Sequence, residues 1–520
     1  MPLKSFFNAS SRLWILGGLI ISVTLFRFWY TKQLELTGDE AYYWYCSRHL
    51  DWSFFDKGPG AAVTIFFGTH LFGDTVFGVR FFAVLLSLAT GLGLFVLAKI
   101  LYNEKVAFWT LMVVLLIPLY AVGSILMTID PLSIFFWTCG AICFWKAVNV
   151  YSGLTISSGI FWWVLAGVSV GLGMLAKYTN LVELLCFALF CFWSPKQRLQ
   201  LRRFPFYLMV AVAFAFSLPM IIWNYQHHWI GVMHLLQRGD LNKSWHVTPS
   251  ELLVFIGAQA GVISPLIFLG VMFAVLWPQC AAGKREQTQF LQSLFLPLFG
   301  FYSFLSLNKA AEPNWPAPCY VAGIILLVGN WESLKKRVPW VRKLVLLAFL
   351  IAALETILLH NTFWLHLPVP AAWEETSGDW TQKVIKVYHD LGAVDPLDRA
   401  RGAQSIANHA EAVAQEQGTI FFISDNYQTA SLLSFYLKDH PDTYEPAFDH
   451  VKDQFSLWPS YRDQFPVGSK ALFIYLWRYP PREILNDFST VETIEEAYST
   501  TGKRPLKKYY YSTCEGLKVR

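Results

Sequence analysis

The sequence predicts a mostly α-helical membrane protein that ends in a soluble α/β domain. Three observations carry that expectation. The 520 residues are 55% hydrophobic and only 15% charged, whereas an ordinary soluble domain is about 25% charged. Apolar stretches recur through the first two thirds of the chain, many near the roughly 20 residues that cross a bilayer. Beyond residue 370 the pattern changes, and 21 of the 36 acidic residues lie there. The 22 Trp and 23 Tyr suit membrane interfaces, where amphipathic rings collect. A net charge of +5 is too small to indicate a nucleic-acid partner.

The first apolar stretch follows Lys4 and Arg12 and ends in Phe26, Arg27, Phe28, Trp29 and Tyr30. That ending lacks a small-residue cleavage site, so it reads as an uncleaved span. The eleven candidate spans are 13–30, 78–101, 106–127, 131–150, 158–176, 180–194, 206–223, 251–276, 290–307, 316–331 and 341–358. Basic loops belong on the cytoplasmic side. The clearest hold Lys196 to Arg203, Lys284 with Arg285, and Lys335 to Lys343, and eleven spans put all three on one side. Pro59 to Phe72 is apolar but too short to span, and it reads as an interfacial helix. Residues 31–77, 224–250 and 308–316 then become external loops. This gives a membrane domain over 1–369 and an external domain over 370–520. In the latter, Ala403 to Gln417 and Tyr427 to Leu437 read as helices. Thr419 to Ser424 and Ala471 to Trp477 read as strands. The eight cysteines show no zinc-like spacing and read as small buried hydrophobes.

The first external loop contains Thr37-Gly-Asp-Glu-Ala-Tyr-Tyr-Trp44 and Phe55-Asp-Lys-Gly-Pro59. Asp39 and Glu40 suit the first turn of a helix, and Tyr43 shares a face with Asp39. A charged helix start explains the pair equally well. Asp130 ends the third span, before Pro131, which can start the next helix. Lys177 ends the fifth. Asp39, Glu40, Asp56, Lys57, Asp130 and Lys177 therefore lie at one membrane surface. Each alone reads as a solvated loop charge. Together, carboxylates and lysines suit a reaction that activates one oxygen while another leaves as phosphate. His227, His228 and His234 have poor metal-ligand spacing, so no cofactor is required and a divalent metal is not indicated.

These motifs resemble the membrane glycosyltransferases of the GT-C class. Within it they are similar to the superfamily that joins protein O-mannosyltransferases to bacterial lipid A aminoarabinose transferases. The matching pieces are Gly38-Asp-Glu-Ala-Tyr42, Phe55-Asp-Lys-Gly-Pro59, Met127-Thr-Ile-Asp130, Gly171 to Tyr178 and Asn314-Trp-Pro-Ala-Pro318, with Phe72-Gly-Asp74 and Val79-Arg-Phe81 between them. The resemblance implies a bundle of about 11–13 transmembrane helices and a polyprenyl-phosphate sugar donor. It assigns Asp39 to the acceptor, Lys57 to the donor phosphate, Asp130 as a second acid and Lys177 as a neighbouring lysine. Two positions depart from the pattern. Gly58-Pro59 replaces Pro-Pro, and Tyr42 replaces an arginine of the aminoarabinose branch.

The expected activity is transfer of a hexose or pentose to a lipid A-like lipid, a glycan or a protein. It would take place on the periplasmic side of the bacterial inner membrane, among membrane lipids. The rival is a lipid or solute transporter or flippase, which predicts charges deep within spans and repeated halves. Here the charges sit at span ends and no repeat is visible. Reporter fusions check the topology: fusions after residues 200 and 340 are expected in the cytoplasm, and those after 235 and 400 outside. An internal C-terminal fusion would overturn the parity argument.

Overall fold

The computed structural model describes residues 9–149, 156–238, 245–278, 284–335, 337–360, 397–502 and 504–518. The expected boundary at 369/370 lies outside the described residues. Two compact units emerge. One comprises Met1–Trp29, Asp51–Thr64 and Arg80–Ile357, the other Tyr30–Leu50, Ile65–Val79 and Leu358–Arg520.

Sixteen helices come first among the described residues: α1 Ala9–Tyr30, α2 Gly38–Arg48, α3 Gly60–Phe72, α4 Val76–Leu101, α5 Glu104–Leu116, α6 Pro118–Gly123, α7 Ile129–Asn149, α8 Ile156–Ala176, α9 Val182–Trp193, α10 Phe204–Gln226, α11 Ile230–Arg238, α12 Pro249–Ile263, α13 Pro265–Leu276, α14 Arg285–Leu305, α15 Tyr320–Leu334 and α16 Val341–His360. Among the described residues seven stretches are long and apolar enough to cross a membrane, or eight if α12 and α13 count as one span.

The four predicted spans outside those seven each have a local cause. Residues 106–127 break between α5 and α6, where Ile117 is extended (ψ 138°) ahead of Pro118. A residue before proline is pushed out of the helical region. The 180–194 stretch begins with a 3-10 turn, leaving α9 only 12 residues. Residues 251–276 bend by 110° between α12 and α13, at Ser264 with φ +76°. α14 has the length, but its first two turns carry Arg285, Glu286, Gln287, Gln289 and Gln292. α3, 13 residues long, matches the predicted short apolar helix.

Aromatic packing fills the first unit. Phe144 of α7 stacks on Phe187 of α9 with ring centroids 4.0 Å apart and planes 1° apart. Trp163 of α8 meets Phe144 edge-on. The stretch Ala317–Leu334 is 78% buried, whereas α16 is only 11% buried. A helix apolar all round with little protein contact turns its surface to lipid.

In the second unit, α17 (Ala403–Gln417) and α18 (Tyr427–Tyr436) accompany a five-stranded sheet. Its strands are β1 Phe421–Ser424, β2 Thr443–Tyr444, β3 Ala471–Tyr475, β4 Phe488–Thr501 and β5 Arg504–Leu517, in the order β2-β1-β3-β5-β4. The first three are parallel, and β5 joins β3 and β4 antiparallel. All five residues of β3 are buried. Leu472 and Ile474 pack with Ile406 and Leu433 on one face, Ala471, Phe473 and Tyr475 with Tyr461 and Phe488 on the other. Side chains of a strand alternate, so a strand covered on both faces reads as an unbroken apolar run.

Behind β2, Glu445 is buried. Desolvation, then the neighbouring Asp453, push its carboxyl up to about 9, and Lys452 at 3.2 Å opposes the shift. Folding raises this carboxyl above its unfolded value. The native state therefore holds a proton that the unfolded chain has lost, and the stability drawn from it declines as pH rises from about 5 to 9. Thermal unfolding of the second unit is expected to show that decline, and Glu445→Gln to flatten it. Parallel profiles for the two proteins would rule it out.

Candidate active site

In the first unit four of the predicted residues form two acid–lysine pairs. α8 ends at Ala176, and Lys177 follows in extended conformation. Its side chain is nearly buried, and its Nζ donates to Asp130 Oδ1 at 2.8 Å. Asp130 lies in the first turn of α7, with Pro131 behind it. The other carboxylate oxygen accepts from Asn314 Nδ2 at 2.6 Å. Lys177 Nζ also reaches the carbonyl oxygens of Asn314 at 3.4 Å and Trp315 at 3.3 Å. An ammonium with one carboxylate and two carbonyls, and a carboxylate with two donors, meet the requirement that buried charge be paired and hydrogen-bonded.

The second pair is Lys57 Nζ with Asp56 Oδ2 at 3.0 Å, side chains 8% and 16% exposed. A tight turn presents it, closed by Phe54 N–H to Lys57 O at 2.9 Å. The turn presses against the end of α8. A Cβ on Gly58 would lie 2.1 Å from the carbonyl oxygen of Leu175, so no other residue fits there. Tyr178, next to Lys177, lies beside Ser53 and Asp56 of the same turn. Lys57 and Lys177 are thus carried by segments in direct contact. The Gly58 departure from Pro-Pro is a steric requirement of this contact.

Two acid–lysine pairs carried by segments in direct contact suit a phosphate-bearing ligand. Ammonium groups supply the attraction, and burial strengthens it.

Residues 56–223 match the family model for dolichyl-phosphate-mannose-protein mannosyltransferase. Lipid A galacturonosyltransferase RgtD of Rhizobium johnstonii is 27% identical over 435 residues, covering 81% of this chain and 83% of that protein. Undecaprenyl phosphate-α-4-amino-4-deoxy-L-arabinose arabinosyl transferase 1 of Pseudomonas fluorescens is 26% identical over 58% of this chain and 53% of its own length. The crystal structure of ArnT from Cupriavidus metallidurans bound to undecaprenyl phosphate aligns with a TM-score of 0.66 at 16% identity, over 97% of this chain and 98% of that one. The chain is a GT-C membrane glycosyltransferase. Its sequence is similar to the superfamily that joins protein O-mannosyltransferases to lipid A aminoarabinose transferases.

The glycosyltransferase carries its Asp-Glu motif in the second unit, at the start of α2. Thr37 caps that helix, and Glu40 answers with its own carboxylate on the Thr37 N–H at 3.0 Å, a capping box. Glu40 is fully buried, and its carboxylate holds the helix start. Asp39 points elsewhere: its Oδ1 accepts from Gln428 Nε2 of α18 at 3.0 Å. Gly38 makes this approach possible, since a Cβ there would lie 2.6 Å from Gln428 Cβ.

The remaining predicted and neighbouring residues make aromatic contacts. Tyr43 is buried with its ring 5.9 Å from that of Tyr42. Tyr42, which replaces the arginine, sits edge-on to Tyr427 at 4.8 Å. His227 stacks on Trp223 at 4.0 Å, and His234 lies against Phe55 at 4.6 Å.

Sequence reading missed the roles of Asn314 and Gln428. The polar stretch Asn308 to Pro316 between two spans carried a signal for the first. No local pattern marks the second.

Removing one partner of a buried pair strands the other charge, at about 3–5 kcal/mol. Lys177→Met should therefore lower the thermal stability of the detergent-purified chain substantially, and adding Asp130→Asn should restore most of it. Equal losses in the single and double variants would show that the pair is not buried in the working protein.

Proposed function

We propose that this glycosyltransferase moves a sugar from a polyprenyl-phosphate carrier to a lipid A-like acceptor on the periplasmic face of the inner membrane. The observation that carries this reading is the double acid–lysine arrangement at the end of α8. Support for the acceptor comes from RgtD, named a lipid A galacturonosyltransferase. Support for the carrier comes from the arabinosyl transferases, named for undecaprenyl phosphate donors.

In this reading Lys57 and Lys177 hold the donor phosphate. The acceptor oxygen forms a bond to the anomeric carbon as the bond from that carbon to the phosphate oxygen breaks. Polyprenyl phosphate leaves with the electron pair, and its growing charge is met by the two ammonium groups. Inversion at the anomeric carbon follows from a single displacement. Asp39 takes the proton of a hydroxyl acceptor, or orients an acceptor phosphate that is already ionised. Glu40, Tyr43 and Asp56 support these groups: a helix cap, a packed ring and the counter-ion of Lys57.

Two variants test the assignment, assayed as transfer from polyprenyl-phosphate sugar in detergent at matched protein levels. Lys57→Ala should lose most donor use, with Lys57→Arg retaining part of it. Wild-type turnover in Lys57→Ala would remove it from donor binding. Asp39→Asn keeps the shape and the helix start while removing the charge. It should fold normally and reduce transfer to a hydroxyl acceptor by at least about a hundred-fold, with a smaller loss for a phosphate acceptor. Near-normal transfer with both acceptors would shift the role of base to Asp130.

A further inference from the structure

The first unit holds an apolar cavity of about 390 Å³ between α5, α13, α15 and α16, lined by Leu266, Phe273, Leu334, Val338, Val341 and Leu344 among others. Two tryptophans, Trp331 and Trp340, also line it. An apolar cavity of about 150 Å³ in another protein already stays dry and takes benzene. This one is far larger and has room for a hydrocarbon chain.

The cavity is not the donor site. Asn314 and Trp315, which hold the Asp130–Lys177 pair, lie just before the first turn of α15. The cavity is lined by Leu327 to Leu334, near the last turn of that helix. Fourteen residues at 1.5 Å each separate the two ends of α15 by about 20 Å.

Cations cluster where the cavity lining meets the loop after α15. Two of them are paired and share one carboxylate, since Glu332 meets Lys105 at 3.1 Å and also Lys335. Three are not. Arg337, Arg342 and Lys343 are exposed, and among the described residues their side chains make no ion pair. They alternate along the chain with the lining residues Val338, Trp340, Val341 and Leu344. Apolar lining, an interfacial tryptophan and unpaired cations within eight residues match the two halves of an anionic lipid, acyl chain and phosphate head.

We propose that this cavity binds an anionic phospholipid, its acyl chain between α13, α15 and α16 and its phosphate on Arg337, Arg342 and Lys343. The basic loop places the site in the leaflet that the positive-inside rule assigns to the cytoplasm. The occupant is a resident lipid and takes no part in sugar transfer.

Native mass spectrometry of the full chain in detergent tests this, with phosphatidylglycerol, phosphatidylcholine or undecaprenyl phosphate added at equal concentration. Wild type is expected to retain one phosphatidylglycerol at least about tenfold better than phosphatidylcholine. The triple variant Arg337→Gln, Arg342→Gln, Lys343→Gln should bring that ratio to about one. These three positions are exposed, so the variant tests the head group without disturbing packing. Val345→Trp, which fills the cavity, should lower retention of both phospholipids. Equal retention by wild type, or a preference untouched by the triple variant, would overturn the proposal. So would displacement of phosphatidylglycerol by undecaprenyl phosphate, which would make the occupant the carrier lipid. A dimer that retains no lipid would assign the face to a second copy.

Discussion

The arrangement at the end of α8 depends on one ion pair, Lys177 with Asp130. Burying either charge alone costs several kcal/mol, so the two helix termini that carry them are bound to meet. Asp130 is in the first turn of α7 and Lys177 is one residue past α8. That meeting joins α7, α8 and the segment before α15, because Asn314 completes the shell of Asp130. Ser133 and Asn180 repeat the link one turn deeper, with Ser133 Oγ donating to Asn180 Oδ1 at 2.5 Å. Charge pairing at helix ends thus sets the position of the loop that carries Lys57, through the close approach at Gly58.

The second unit solves a different problem. α2 carries Asp39 but is only 11 residues long, too short to be stable alone. The sheet domain provides its packing. Trp44 meets Phe435 edge-on at 4.9 Å, Tyr45 stacks on Phe455 at 4.9 Å, and Arg48 reaches the carbonyl of His440 at 2.9 Å. Just before α2, Glu35 accepts from the N–H groups of Ala403 and Gln404 at the start of α17, where a carboxylate complements the helix dipole. The C-terminal residues therefore act as the support of a helix that is distant in sequence. Gln428 extends the same support to the carboxylate of Asp39 itself.

Much of this was legible in the sequence where the signal was local. Long apolar runs without interruption became helices, as at Val76–Leu101 and Phe204–Gln226. Spans that the structure breaks held a proline or a serine in a left-handed conformation, at Pro118 and Ser264, and hydropathy averages over such residues. In the second unit α17, α18, β1 and β3 were visible from amphipathic and apolar runs. The hairpin of β4 and β5 was not. Glu492, Glu495 and Glu496 on one strand and Lys507 and Lys508 on the other lower its apolar contrast, and it is held by strand pairing, with Lys508 paired to Glu496. The site divides along the same line. Acids and lysines at span ends could be listed from the sequence, but the partnership of Asp130 with Asn314 spans 184 residues and no spacing rule reaches that far.

Under the donor binding proposed above, the pairing also explains how a site built from opposite charges would receive an anion. Each lysine is paired with an aspartate, so neither charge stands alone. A donor phosphate has to share or replace those carboxylates as partner of the ammonium groups. Asp130 can yield part of Lys177 because Asn314 still donates to its second oxygen, which keeps the carboxylate hydrogen-bonded while the ammonium turns to phosphate. Lys177 in turn keeps the carbonyls of Asn314 and Trp315 as fixed acceptors, so its position does not depend on Asp130 alone. Asn314 is therefore the residue that makes the exchange tolerable: it serves the aspartate through its side chain and the lysine through its backbone, and neither charge is left buried and bare at any stage of the exchange.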